Sequence, residues 1–178
     1  MSFDYVVLWI LTIANSVAIL LVVRQLAALP AFRPAGPRPG TSFANWTLRA
    51  PNGAPRSSSE MPLEYTMLFA SEACGPCHTL LGELAQSTPI GETLIVAAEG
   101  DAPRLQQEAL SPRGPVYDEF LSGADSEFRQ RFHVPGTPFG IAVRRERVVA
   151  AGPLRTAKDL EKLAAALRRG GVATPAGL

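Results

Sequence analysis

The sequence predicts an α/β domain with a mixed sheet and helices on both faces, preceded by one transmembrane helix. An uncharged stretch of 18 residues, 6–23, lies close to the N-terminus. After Pro62, two apolar strand patterns alternate with two helical patterns, which predicts parallel pairing through a right-handed crossover. A short helix, a hairpin and an amphipathic helix follow, so we expect an antiparallel edge to complete the sheet.

The uncharged stretch predicts a membrane anchor over residues 5–24. Eighteen helical residues span about 27 Å, close to the thickness of a bilayer core. Tyr5 and Trp9 lie at one end, where aromatic side chains favour the membrane interface. A cleaved signal peptide is the alternative, but it should begin with basic residues, whereas Asp4 precedes this stretch. We therefore expect a retained single-pass anchor, with the lipid bilayer as a partner.

The region after the anchor predicts a spacer and then a domain. Residues 30–42 are rich in proline and glycine, which excludes a helix and predicts an extended tether. We expect the domain to cover residues 43–170 and a flexible tail to cover residues 171–178. The arginines near the anchor all follow it, and this bias favours a cytoplasmic domain.

The first part of the domain predicts a hairpin. Residues 43–48 alternate as a short strand does, and Asn52-Gly53 is a hairpin turn signal. We interpret Trp46 as a packing residue and residues 56–60 as a polar loop.

The middle of the domain predicts the buried strands. Residues 62–70 are nearly continuously apolar after Glu64, as in a strand buried on both faces, and residues 93–98 repeat the pattern. A helix after the first strand is expected to end near residues 86–89, and a second helix to cover residues 103–110. Val116-Tyr117 is the candidate for a third strand, beside residues 93–98.

The last part of the domain predicts a short helix over residues 125–132, capped by Asp125 or Ser126. Two strands, residues 140–144 and 148–151, then form a hairpin. A final amphipathic helix is expected over residues 156–169, capped by Thr156 and stopped by Gly170-Gly171.

Cys74-Gly75-Pro76-Cys77 contains the two cysteines of the chain and lies between a predicted strand and a predicted helix. A helix start favours a thiolate, so this motif indicates a redox dithiol. Half of a zinc site is the alternative, but His78 and His133 are the only histidines that could complete it. A structural disulfide would close too short a loop to remove much chain entropy. We expect no metal, no cofactor and, at a net charge of +1, no nucleic acid partner.

A second motif, Thr137-Pro138, follows the dithiol by about sixty residues and precedes the final hairpin and helix. With this pair of motifs the chain resembles thioredoxin-fold proteins, whose active-site sequence is Cys-Gly-Pro-Cys. The anchor and tether make it similar to the membrane-anchored thioredoxin-like proteins of bacteria. Residues 69–74 and 79–81 resemble the methylamine-utilisation branch, which implies a role in disulfide formation or in maturation of another protein.

The resemblance implies a three-layer α/β/α thioredoxin-like fold and a thiol-disulfide oxidoreductase that acts on a client protein carrying a disulfide or a dithiol. Cys74 would be the attacking thiol and Cys77 the resolving one. Pro138 would be cis, so that Thr137 presents free backbone groups to a substrate strand beside Gly75-Pro76.

Three positions depart from the thioredoxin pattern. Leu68 stands in place of the buried aspartate that assists proton transfer, Ala73 in place of a tryptophan, and His78 where lysine is frequent. Glu72 or a water is expected to replace the missing acid. A protonated His78 would stabilise the Cys74 thiolate, and an exposed, solvated histidine without such a role is the alternative.

The family pattern places such a domain on the extracytoplasmic face of the cell membrane, against the arginine bias. We follow the family pattern, because a folded domain can be translocated despite a few arginines. The partner that resets the dithiol is expected to be a redox protein, with a membrane protein as the main candidate. The alternative function is a non-catalytic anchored module for binding or maturation, or a copper carrier that uses both thiolates.

Overall fold

The computed structural model describes residues 3–28, 36–86, 93–108, 110–111, 114–115 and 117–169. Contacts divide the chain into two compact units, Met1–Pro34 and Ala35–Leu178. The predicted tail and the Gly170-Gly171 helix stop lie outside the described residues.

The first unit contains helix α1, Phe3–Ala28. Its segment Val7–Arg24 has a mean hydropathy of 2.2 and is long and apolar enough to cross a membrane. The hydroxyls of Thr12 and Ser16 donate to carbonyl oxygens one turn earlier, so these polar groups are satisfied within the helix. Length, composition and satisfied hydroxyls agree with the expected anchor.

The second unit contains nine strands and four α-helices among the described residues. The strands are β1 Thr47–Arg49, β2 Pro55–Ser57, β3 Glu64–Ser71, β4 Leu94–Glu99, β5 Leu110–Ser111, β6 Gly114–Pro115, β7 Glu119–Ser122, β8 Phe139–Arg144 and β9 Arg147–Pro153. The helices are α2 Gly75–Gln86, α3 Pro103–Glu108, α4 Ser126–Arg131 and α5 Ala157–Arg168.

Seven of these strands form one mixed sheet in the order β2-β1-β7-β4-β3-β8-β9. Strand β3 pairs in parallel with β4 and antiparallel with β8, and β4 pairs in parallel with β7. A separate two-stranded sheet joins β5 and β6.

The core lies on both faces of this sheet, as the continuous apolar pattern of β3 predicts. Leu68 and Ala70 belong to a cluster that includes buried side chains of α2, α3 and α5. Met67 and Phe69 belong to a second, aromatic cluster against which Phe128 of α4 packs. The predicted mixed sheet with helices on both faces is confirmed.

The first hairpin is present, but the sequence pattern did not predict its second strand. Strands β1 and β2 pair antiparallel around Asn52-Gly53, so the turn is confirmed. Residues 56–60, predicted as a loop, contain part of β2 and a 3-10 helix, Ser58–Glu60. An edge strand exposed to solvent can be polar, so its composition does not distinguish it from a loop. Arg56 instead bonds to Glu119 of β7.

The predicted strand at Val116-Tyr117 is wrong in position. The strand beside β4 is β7, and Tyr117 precedes it, while Val116 lies outside the described residues. Only Phe120 and Leu121 of β7 are buried, between a polar residue on each side. Two apolar residues are too few to display a strand period.

The C-terminal part of the predicted tether packs on the second unit. An ideal Cβ built on Gly36 would lie 2.3 Å from Cζ of Phe139, so the backbone there touches the ring. Gly40 N donates to the carbonyl of Val148 at 2.7 Å. Residues 36–42 therefore run along the sheet, because a proline- and glycine-rich chain that cannot be helical can still pair as an extended segment.

The predicted helix caps near the end of the domain are confirmed. Asp125 caps α4 by accepting from Phe128 N. Thr156 and Asp159 form a capping box at α5. Burial acts to raise the pKa of Asp159, but hydrogen bonds from Arg155 N, Thr156 and Lys162 outweigh it and hold the pKa below its usual value.

Candidate active site at the end of strand β3

The two cysteines form a disulfide at the start of α2. The Cys74 and Cys77 Cα atoms are 5.3 Å apart, and the S–S distance is 2.16 Å. Cys77 is 1% exposed, whereas Cys74 is half-buried, and Gly75 and Pro76 between them are exposed. An attacking molecule can therefore reach the sulfur of Cys74 and not that of Cys77.

Two backbone amides at the start of α2 lie close to the accessible cysteine. Cys77 N donates to the Cys74 carbonyl at 2.9 Å and lies 3.2 Å from Cys74 Sγ. His78 N lies 3.4 Å from the same carbonyl. An amide at a helix N-terminus stabilises negative charge, so a Cys74 thiolate would be favoured at this place.

The predicted cis peptide bond between Thr137 and Pro138 is confirmed. Strand β8 begins at the next residue, Phe139, which pairs with Phe69 near the end of β3. The Thr137-Pro138 segment and Cys74 therefore lie at the same end of two neighbouring strands. Both Thr137 and Pro138 are partly exposed. That they bind a substrate stays a prediction.

A network of charged side chains lies beside the dithiol. His78 Nε2 is 2.9 Å from the carbonyl oxygen of Glu72, and His78 Nδ1 is 2.5 Å from Oε2 of Glu108 on α3. Arg104 N, also on α3, donates to Glu72 Oε1 at 3.2 Å. The hydrogen bond to the Glu72 backbone raises the pKa of His78, and the carboxylate of Glu108 raises it further.

Sequence reasoning identified Glu72 and His78 but missed their partners on α3. Arg104 and Glu108 are four residues apart, so they share one face of that helix. This spacing marks a charged helix face, but it does not reveal that the face lies against the start of α2.

Leu68 is 1% exposed and sits in the apolar cluster beneath α2 and α5. The position where thioredoxins carry a buried aspartate is therefore apolar here. Glu72 Oε2 is buried and has no hydrogen-bond partner within the described part of the chain. Among the same residues, no group of three or more His, Cys, Asp or Glu side chains could hold a metal ion.

Comparison with solved structures shows that the fold is thioredoxin-like. No protein-family model and no curated protein matches the chain significantly. Eighty-four chains of solved structures do match. A thio-disulfide isomerase from Thermus thermophilus is 24% identical with a TM-score of 0.55, and the match covers 75% of this chain and 98% of that one.

Two further structures agree. A secreted disulfide oxidoreductase of Mycobacterium tuberculosis, described as homologous to E. coli DsbE, is 19% identical with a TM-score of 0.51, covering 68% of this chain and 95% of that one. The thioredoxin domain of a thiol-disulfide oxidoreductase from Bacteroides vulgatus is 17% identical with a TM-score of 0.56, covering 70% and 93%. At these identities the likeness establishes a thioredoxin-like α/β fold that carries a Cys-x-x-Cys pair.

Proposed function

We propose that this protein is a membrane-tethered thiol-disulfide oxidoreductase that exchanges disulfides with client proteins through Cys74 and Cys77. The observation that carries the proposal is the asymmetry of the pair: one sulfur is accessible at a helix N-terminus, and its bonded partner is buried. The solved structures that share the fold include thiol-disulfide oxidoreductases, which supports the same reaction class.

The exchange takes two steps when a client disulfide is reduced. The Cys74 thiolate attacks one client sulfur, a Cys74–client disulfide forms, and the other client sulfur leaves as a thiolate. Cys77 then loses its proton and attacks the Cys74 sulfur, so the Cys74–Cys77 disulfide forms and the second client sulfur is released. Two electrons pass to the client, and the proton from Cys77 ends on a client thiolate. The reverse sequence inserts a disulfide into a client.

Client binding would use the exposed rim around Cys74. Within the described residues the backbone N–H and C=O of Thr137 have no hydrogen-bond partner. The Pro138 carbonyl is already used by Leu154 N at 3.1 Å. Thr137 is therefore the residue of this segment that can pair with an extended client strand, and exposed Gly75-Pro76 would flank it.

Helix α1 would hold this site at the cell membrane as a single-pass anchor over residues 5–24, with the catalytic domain on the extracytoplasmic face. A redox protein of the same membrane would then reset the dithiol. A membrane-impermeant thiol reagent applied to reduced whole cells tests the orientation. Labelling of Cys74 before lysis supports the extracytoplasmic face, and labelling only after lysis contradicts it.

The proposal is tested by separating the two sulfurs. Cys77→Ser leaves Cys74 to attack but removes the resolving step, so this variant should accumulate client proteins through a bond that dithiothreitol breaks. Cys74→Ser should reduce no insulin disulfides, and the double variant serves as the matched blank for capture. If Cys77→Ser captures no client and Cys74→Ser keeps wild-type activity, the assignment of roles is wrong.

The direction of electron flow is set by the reduction potential of the pair. A value near that of thioredoxin, about −270 mV, would indicate a reductant that needs an electron donor. A value near about −120 mV would indicate an oxidant that inserts disulfides and needs an acceptor.

A further inference from the structure

His78 connects three segments around the dithiol. It belongs to the first turns of α2, it contacts the Glu72 carbonyl in the loop before Cys74, and it contacts the Glu108 carboxylate on α3. Arg104 N bonds the side chain of Glu72, so α3 holds the same loop at a second point. The segment that presents Cys74 is therefore fixed to its neighbours through side chains that ionise.

The two partners of the His78 ring determine its protonation. A backbone carbonyl and a carboxylate can only accept hydrogen bonds, so Nε2 and Nδ1 must both donate. Both ring nitrogens carry a proton only in the imidazolium form. The same two contacts, the Glu72 carbonyl first and the Glu108 carboxylate second, raise the pKa of His78. When both hydrogen bonds are formed, a positive charge therefore lies close to the helix start.

This charge is placed where it can act on the reactive sulfur. His78 lies in the first turn of α2, which begins directly after Cys74. Its Nε2 contacts the Glu72 carbonyl, two residues before Cys74. The His78 side chain is 26% exposed, so solvent screens its charge only in part. Glu108 offsets part of the positive charge of His78. Glu72 Oε1 and Arg104 Nε lie 3.9 Å apart and these side chains offset each other, so the electrostatic effect on the Cys74 sulfur is that of one partly screened cation.

We propose that His78 is a positioning residue for the dithiol: it fixes the loop before Cys74 to α3, and its charge makes the Cys74–Cys77 disulfide easier to reduce. The inference rests on the proposed function, because it assigns a consequence for the same thiol pair. Reduction takes up two electrons and one proton, giving a Cys74 thiolate and a Cys77 thiol. His78 stays protonated throughout and stabilises the thiolate.

The effect must be reciprocal, and that gives the first test. If the imidazolium favours the thiolate, then the thiolate favours the imidazolium, and the titration midpoint of His78 rises when the dithiol is reduced. The midpoint is measured by NMR of histidine-labelled full chain in detergent, once with the disulfide and once after reduction. His133, at the end of α4, is the internal reference. A His78 midpoint that is equal in the two states overturns the inference.

The second test measures the thiol pair itself. In the full chain, His78→Gln should lower the equilibrium constant for reduction by glutathione about two- to fivefold, the range for one charge near a helix N-terminus; a tenfold change would correspond to about 30 mV. His78→Lys restores the charge and should return most of that loss. His133→Asn is the matched control, because asparagine tolerates the positive φ of 54° found there.

The outcomes separate this inference from the proposed function. If His78→Gln reduces as readily as wild type while Cys77→Ser still captures clients, the inference fails and the function stands. If Cys74→Ser retains exchange activity, the function fails, whatever the histidine titration shows. Should His78→Gln fold poorly, Glu108→Gln keeps the ring and loses the charged partner. It should lower the His78 midpoint in both redox states, and an unchanged midpoint there contradicts the network.

Discussion

Replacing Gly36 with alanine should destabilise the second unit, although the residue lies in a segment whose composition predicts a tether. The new Cβ would lie 2.3 Å from Cζ of Phe139 and 3.2 Å and 3.3 Å from the two Cε atoms. Phe139 is 1% exposed and belongs to the aromatic cluster, so its ring cannot turn into solvent. Either the ring or residues 36–42 must move by more than an ångström.

The magnitude follows from the overlap. Inserting a methyl group into a packed site costs about 1–3 kcal/mol. In a free tether the same change would leave the free energy of unfolding nearly unchanged, because the residue would be equally unconstrained before and after unfolding and the entropy lost by replacing glycine would cancel. The packed description of Gly36 therefore predicts a clear loss of stability, and the tethered description predicts almost none.

Urea unfolding of the oxidised full chain in detergent distinguishes the two descriptions. Trp46 is 2% exposed in the aromatic cluster, and a Trp9→Phe background leaves its fluorescence as the only tryptophan signal. Gly82→Ala is the matched control, because a Cβ at this position in α2 meets nothing within 4 Å and should stabilise the helix by about 1 kcal/mol. A Gly36→Ala protein as stable as wild type, or more so, would refute the packing of residue 36 on the sheet.

Two further predictions concern α5. Asp159→Asn should cost about 1 kcal/mol at pH 7, because it weakens the capping box with Thr156. Since the folded-state pKa of Asp159 is depressed, the difference from wild type in urea titrations should begin to shrink as the pH falls below about 4 and should disappear below the folded-state pKa. A difference that does not shrink between pH 7 and pH 3 would contradict this. Gly140→Ala places a Cβ 2.5 Å from Leu163 Cδ2 and 2.9 Å from Leu154 Cδ1, so it should destabilise by about 1–3 kcal/mol. Combining it with Leu163→Ala should cost less than the sum of the two single changes, and strict additivity would exclude the contact.

The buried centre of the sheet could be predicted because its strands carry their own signal. Strands β3 and β4 are apolar almost throughout, and each is buried on both faces. Helix α5 has buried leucines at helical spacing and a cap at Thr156, so its period and its start were both readable. Where burial itself determines residue type, the pattern in the sequence specifies the element.

The edges of the sheet could not be predicted in this way. Strand β2 is polar, and β7 buries only two adjacent residues, so neither has a period that distinguishes it from a loop. Residues 36–42 have a composition that excludes a helix without stating whether the extended chain is free or paired. Strand β7 is ordered by pairing with β4, and residues 36–42 by pairing with β9, both distant in sequence. Strand β2 pairs with the neighbouring β1 across a turn.

The candidate site also has one part that the sequence predicts and one part that it does not. The dithiol and Thr137-Pro138 are local motifs, and the geometry of both agrees with the resemblance. The contact between His78 and Glu108 joins residues 30 positions apart and depends on where α3 lies against α2. No local pattern encodes that placement, so one histidine could be singled out without its carboxylate.

The contact between His78 and Glu108 matters for the dithiol because the residue at position 68 is apolar. Leu68 pairs in register with Val96 and is sealed beneath α2, where an ionised carboxylate would pay a large desolvation cost. Among the residues that the structure describes, the core behind Cys77 therefore contains no acid that could take or return a proton. The polar groups close to the pair instead lie on the loop and α3 side, at Glu72, His78 and Glu108. The charged groups that act on this dithiol therefore lie on the surface side of α2 and not in the core. Substitutions on α3 should change the equilibrium constant for reduction of the Cys74–Cys77 disulfide more than polar substitutions on β4 do.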